Sequence, residues 1–147
     1  MVTVSPSECE RGPTWAYSLQ LPHDPRAARI ARVTLRAVLA GHGISQLQDT
    51  AELLATELVT NAYRHSVGPA TLRLCGLGRR RLRVSVWDAN PHIPPPFDKR
   101  SGSLRPVPVD VAAEGGRGLF LVCHYAEAWG AYPVGDGGKL LWCEVGA

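Results

Sequence analysis

Residues 45–65 constrain the fold more than any other stretch of the chain. Leu47, Ala51, Leu54, Leu58 and Ala62 recur at three- and four-residue spacing, the period of one helix face. Such a stripe has to be buried against another layer. Beside it runs a second stripe of Glu57, Asn61, Arg64 and His65, at i, i+4, i+7 and i+8. These four side chains therefore leave the helix on one side as well. A carboxylate one turn before an amide can hold a divalent cation and a water together. Facing a pocket, the polar stripe suits a phosphate-bearing ligand; facing bulk water, it is an ordinary solvated surface.

The flanking segments supply layers to pack against. Residues 15–21 alternate in part and read as a strand that Pro22 and Pro25 stop. Asp24 can cap a following helix with Pro25 at its first position. That helix runs to about Ala40, with Ile30, Val33, Leu35, Val38 and Leu39 as its apolar side, and Gly41-His42-Gly43 ends it. Ser45 can cap the long helix. Strands are expected at 70–77 and 82–88, joined as an antiparallel hairpin. Residues 89–115 hold six prolines and little periodicity, the composition of a lid or binding loop. A helix over 119–127 buries Leu119, Val122, Cys123 and Ala126. A closing hairpin of 129–134 and 139–145 follows. This order implies an α+β fold, a two-layer sandwich with a mixed, mostly antiparallel sheet and helices on one face.

The 147 residues suit one domain over 14–147, preceded by a flexible lead-in over 1–13. No segment has the length and apolarity of a membrane span, and the start lacks the pattern of a signal peptide. Cytoplasmic placement with four reduced cysteines is the expectation, because Cys9, Cys75, Cys123 and Cys143 form no pair with metal-ligand spacing. A net charge of +3 is too mild to demand nucleic acid. Arg79, Arg80, Arg81 and Arg83 read as a solvated hairpin turn, without the interleaved aromatics or reading helix that nucleic acid would require. Trp129 and Trp142 read as packing aromatics.

Three elements carry chemistry. Asn61 could complete a Mg²⁺ shell together with phosphate oxygens and waters, since Mg²⁺ keeps most of its waters. Glu57 could orient or deprotonate an attacking group. Asp88, at a strand end, can accept a hydrogen bond from an exocyclic amine such as that of adenine, or simply open an Asx-turn. Gly115, Gly116 and Gly118 lead into a helix, where backbone N–H groups can approach an anion. The segment lacks the Lys-Ser/Thr of a P-loop, and no strand immediately precedes it.

The order of acid and Asn on a helix, Asp at a strand end, a long loop and glycines at a helix start resembles the ATP-binding fold shared by histidine kinases, DNA gyrase, Hsp90 and MutL. It is most similar to the small bacterial anti-sigma-factor serine/threonine kinases. Glu57-Leu58-Val59-Thr60-Asn61, with His65 after it, looks like that family's Asn box. Asp88 looks like its first Gly box, and Gly116-Arg117-Gly118-Leu119 like its second. The resemblance implies ATP between the Asn-box helix and the loop after Asp88, with that loop as lid. Asn61 would ligate Mg²⁺, Glu57 would act as general base, Asp88 would read the adenine amine, and the amides around Gly116 and Gly118 would hold phosphates. Arg64 or His65 would lie near the site, and Asn90 stands where the family has Gly. Leu140 stands where the family often has a Thr near the adenine. The implied activity is transfer of the ATP γ-phosphoryl to a Ser or Thr of an anti-anti-sigma partner, with a sigma factor sequestered by a homodimer. A non-catalytic, nucleotide-dependent regulator that sequesters a sigma factor or antagonist is the alternative.

Overall fold

In the computed structural model of the protein, described for residues 14–78, 80–98, 117–135 and 137–146, five strands form one sheet. The strands are β1 (Trp15–Leu21), β2 (Ala70–Leu77), β3 (Arg81–Asp88), β4 (Ala128–Pro133) and β5 (Lys139–Gly146). Their order is β1-β2-β3-β5-β4. Every neighbouring pair is antiparallel, so the sheet is not mixed among the described strands. Each of its connections is either a hairpin or a passage through helix, and neither produces a parallel pair here. Three helices complete the fold: α1 (Ala27–Gly41), α2 (Gln48–His65) and α3 (Arg117–Tyr125).

The period-two alternation of the strands decides which residues meet the helices. Leu72, Leu74, Leu82, Val84, Val86, Leu141, Cys143 and Val145 lie in the buried core together with Ala51, Leu54, Leu58 and Ala62 of α2. Helix α2 packs on β2, β3 and β5 and is flanked by α1 and α3. The apolar stripe of residues 45–65 is thus the centre of the core. Its first three residues, Ser45–Leu47, form a 3-10 turn, and Ser45 makes no side-chain cap.

Helix α1 departs from expectation. It begins at Ala27, two residues later than Pro25; Asp24 makes the i+2 bond of a capping residue, its Oδ1 accepting the Arg26 N–H at 2.8 Å, and its carbonyl accepts the Ala27 N–H at 3.0 Å, so a turn leads into the helix. Its buried face is Ala27, Ala31, Leu35, Val38 and Leu39, whereas Ile30 and Val33 are exposed. Alanines at four-residue spacing let α1 approach α2 closely, and the larger β-branched side chains turn outward.

Two further expectations are corrected on the sheet face away from the helices. Arg83 is buried, stacked 4.6 Å over Trp142, and its Nε donates to Glu144 Oε2 at 2.9 Å. Arg81 pairs with the same carboxylate. These two arginines are consumed by the opposite strand and do not form a solvated turn. Cys75 is disulfide-bonded, with its partner outside the described residues, while Cys123 and Cys143 are free and buried. Odd-numbered positions of β2 face away from the helices, where a second chain segment can reach the thiol.

The Pro-rich stretch divides in two. Phe97 enters the core and packs on Trp129 with ring centroids 5.3 Å apart, so residues 89–98 belong to the packed domain. The remainder of the lid expected over 89–115 lies outside the described residues, as does the lead-in over 1–13. Among the described residues no helix is long and apolar enough to cross a membrane.

Because Leu58 is fully buried at the centre of this core, Leu58→Ala should lower the unfolding free energy by about 2–5 kcal/mol. Equilibrium denaturant unfolding measures the loss.

Candidate functional site

The polar stripe of α2 is not uniform. Asn61 is buried, Glu57 is half-buried, and Arg64 and His65 are exposed. The stripe therefore crosses the rim of the core: its first half points between the layers and its last turn points to solvent.

Asn61 is only 6% exposed, and its Oδ1 has no hydrogen-bond partner among the described residues. An orphaned buried acceptor costs about 1–3 kcal/mol. A carbonyl oxygen held unpaired in this way suits a hard cation that brings its own waters. Among the described residues no three His, Cys, Asp or Glu side chains converge as a metal cage. Mg²⁺ held mostly by phosphate and water fits that donor set.

Glu57 sits one turn before Asn61, against the start of α3. A Cβ built on Gly118 would fall on the Glu57 carboxylate, so glycine at this position lets the two helices meet. Burial among these neighbours pushes the Glu57 carboxyl above the usual carboxylate range, partly opposed by the positive charge of Arg64. Gly118 and Leu119 lie in the first turn of α3, with Leu119 in the core. Gly116 and the side chain of Arg117 lie outside the described residues.

Asp88 ends β3 on the face it shares with Leu82, Val84 and Val86, which is the helix-covered face. It is 1% exposed, and its Oδ1 accepts the Asn90 N–H at 2.8 Å. It is also ion-paired: Lys139 Nζ lies 3.0 Å from Oδ1 and 2.9 Å from Oδ2. Lys139 is the register partner of Asp88 across β3 and β5 and is fully buried. Leu140, next to it, pairs with Trp87 on the opposite face. The polar group that the closing strand sends toward Asp88 is therefore Lys139. Sequence reasoning missed it. The available signal was a lone Lys directly after two glycines at a strand start, but its partner becomes visible only with the β3–β5 register.

Asn90 links these parts. Its Nδ2 donates to the His65 carbonyl at 2.6 Å, and its Oδ1 accepts the His92 N–H at 3.0 Å. His23 Nε2 donates to the Tyr63 carbonyl at 2.9 Å. Two of the carbonyls that a helix C-terminus leaves without intrahelical partners are thereby satisfied, and the loop after Asp88 is tied to the end of α2. His65 contributes its backbone here, and the Asn90 amide works inside the protein.

Residues 21–143 match the model of the histidine kinase-like ATPase domain. The chain belongs to this family. An uncharacterized protein of Streptomyces coelicolor is 39% identical over 83 residues, which span 55% of this chain and 71% of the relative. In the family's terms, the five-stranded antiparallel sheet with helices on one face is the histidine kinase-like ATPase fold. Glu57, Asn61, Gly118 and Asp88 all lie on its helix-covered side.

Two outcomes follow from the Glu57 environment. The folded protein holds the Glu57 proton more tightly than the unfolded chain does. Stability contributed at low pH is therefore lost as pH rises from the ordinary Glu value through the raised one. Glu57→Gln should accordingly be more stable than the native protein above that window and gain nothing below it, as read by denaturant unfolding at two pH values. In Gly118→Ala the new methyl should displace the Glu57 carboxylate toward solvent, a cheap movement for the end of a flexible side chain. The Glu57 carboxyl, followed by NMR titration, should then fall back toward its ordinary range. Stability should stay within about 1 kcal/mol, since Ala is the better helix former.

Proposed function

We propose that this protein binds Mg-ATP and acts as an anti-sigma-factor serine/threonine kinase. The observation that carries the proposal is the meeting of α2 with α3: a desolvated Glu57 carboxylate lies against Gly118, one turn from the orphaned Oδ1 of Asn61. Asn61 would ligate the Mg²⁺ that neutralises the phosphates, and the N–H groups at the start of α3, with Gly116 and Arg117 ahead of Gly118 and Leu119, would hold them. Glu57 would accept the proton of a Ser or Thr hydroxyl as that oxygen attacks the γ-phosphorus, with ADP leaving. A base with a raised pKa is closer to neutrality and better matched to that task. The reaction needs mainly positioning and charge neutralisation. Arg64 or His65, both exposed in the turn after Asn61, would lie near the nucleotide. The partner class is an anti-anti-sigma protein, a sigma factor, or both, engaged in the cytoplasm by a homodimer.

A second reading has its own observation. The Asp88 carboxylate that would read the base already holds Lys139, and Asn90 is engaged by α2. That arrangement favours a regulator that binds nucleotide without transferring phosphate.

Labelled ATP, Mg²⁺ and candidate anti-anti-sigma proteins from neighbouring genes separate the readings. Transfer to a partner Ser or Thr, lost by about 10²-fold or more in both Glu57→Ala and Asn61→Ala, supports the kinase. ATP binding that needs Asn61 but gives no transfer supports the regulator. No ATP binding at millimolar nucleotide rejects both.

A further inference from the structure

The sheet face away from the helices is more buried than the described elements account for. Helices α2 and α3 pack on the opposite face, and α1 packs on α2. Yet Cys75 is fully buried, and Leu77, Ser85 and Trp142 on the same outer face are at most 7% exposed. Side chains on one face of a sheet stand side by side, so they shield one another's flanks and not their tops. A further layer has to lie over them. Cys75, Arg83 and Tyr132 all project from this face, and each has an interaction beyond those made among the described residues.

Three observations point to the segment that covers it. The chain has four cysteines, and Cys123 and Cys143 are free, so within one chain the disulfide of Cys75 leads to Cys9. Thr14 anchors the chain beside Cys75, its N–H and Oγ1 donating to the Gly76 carbonyl at 3.1 and 3.3 Å. The five residues from Cys9 to Thr14 reach about 17 Å when extended. That is ample for the Cα separation of about 4.4–6.8 Å that a disulfide needs. The charges also match. Glu8 and Glu10 flank Cys9, whereas Cys75 lies among Arg73, Arg81 and Arg83, the last being its register partner. Among the described residues the acid ion-paired with these arginines is Glu144, so two further carboxylates would meet a basic patch.

We propose that residues 1–13 form a strap over the outer sheet face, joined to β2 by a Cys9–Cys75 disulfide, and that reduction of this bond by a dithiol uncovers the face. Because Cys75 has no exposed surface, the incoming thiolate attacks the Cys9 sulfur. The S–S bond breaks, and Cys75 leaves as a thiolate that takes up a proton. The second thiol of the reductant then displaces Cys9 and closes the reductant's own disulfide. Two electrons pass from the dithiol to the protein, which ends with two thiols. The uncovered surface sets the apolar Leu77 and Trp142 beside the guanidinium groups of Arg81 and Arg83. In a reducing compartment a disulfide is characteristically transient and redox-sensing, so the strap makes this surface conditional on thiol redox state. The device is independent of the nucleotide site, which lies on the other side of the sheet.

The test is thiol mapping of the full chain. After equilibration with glutathione disulfide, peptide mapping without reductant should find Cys9 joined to Cys75. Treatment with dithiothreitol and then excess iodoacetamide, under native conditions, should cost Cys75 its protection, so that it takes up label. Cys123 and Cys143 should stay unlabelled until denaturant is added, because both are buried in the core. Their protection shows at the same time that the fold is intact. Cys9→Ser, which cannot form the bond, should show the same labelling of Cys75 with no reductant present. Any other partner for Cys75 in the oxidised chain, a second copy included, overturns the proposal. So does a Cys75 that remains as protected as Cys123 after reduction and in Cys9→Ser.

Discussion

The fold depends on the burial of one helix that carries two unlike stripes. Leu54, Leu58 and Ala62 of α2 must face the sheet, because their apolar surface has no other cover. Once they do, helical geometry leaves no freedom for Glu57 and Asn61, which are carried to the edge of the same interlayer space. Core packing and site placement are consequences of a single rotation of α2 about its axis. Helices α1 and α3 complete the arrangement by flanking α2, and α3 brings Gly118 against the carboxylate.

Polar burial in this domain falls into two kinds. On the outer sheet face, Glu144 accepts from Arg83 and Arg81 and the Arg83 guanidinium stacks over Trp142, although Arg81 Nε and Trp142 Nε1 are buried without a partner among the described residues. On the helix side, Asn61 Oδ1 has no partner among the described residues and Glu57 is desolvated beside glycine. An unpartnered buried acceptor and a desolvated acid both cost stability, and what sets this pair apart from the orphaned nitrogens elsewhere is that the two lie one turn apart beside the start of α3. Asp88 stands between the two: fully buried and paired like a structural acid, yet on the helix side with the site residues.

Much of this was legible in the chain. The strands at 15–21, 70–77 and 139–145 and the buried stripe of residues 45–65 follow from period-two and period-3.6 patterning, because one buried face leaves a strong periodic trace. On α1 the pattern marks Leu35, Val38 and Leu39 correctly but assigns Ile30 and Val33 to the same face, since they outweigh Ala27 and Ala31 in hydrophobicity while the alanines fit the close helix contact. Arg83 looked solvated because its partners lie 59 and 61 positions away on β5, as Trp142 and Glu144.

The sequence by itself determined the α+β class, the apolar side of α2, and the candidacy of Glu57, Asn61, Asp88 and Gly118, all of which local period and residue chemistry make visible. Only the tertiary structure decided that Asn61 is buried and unpartnered among the described residues while Arg64 and His65 are exposed, that Gly118 lies on Glu57, and that Lys139 holds Asp88. The reason is one of distance along the chain. Burial, desolvation and ion pairing arise from contacts between segments tens of residues apart, and their register is set by whole-sheet packing that no local pattern records.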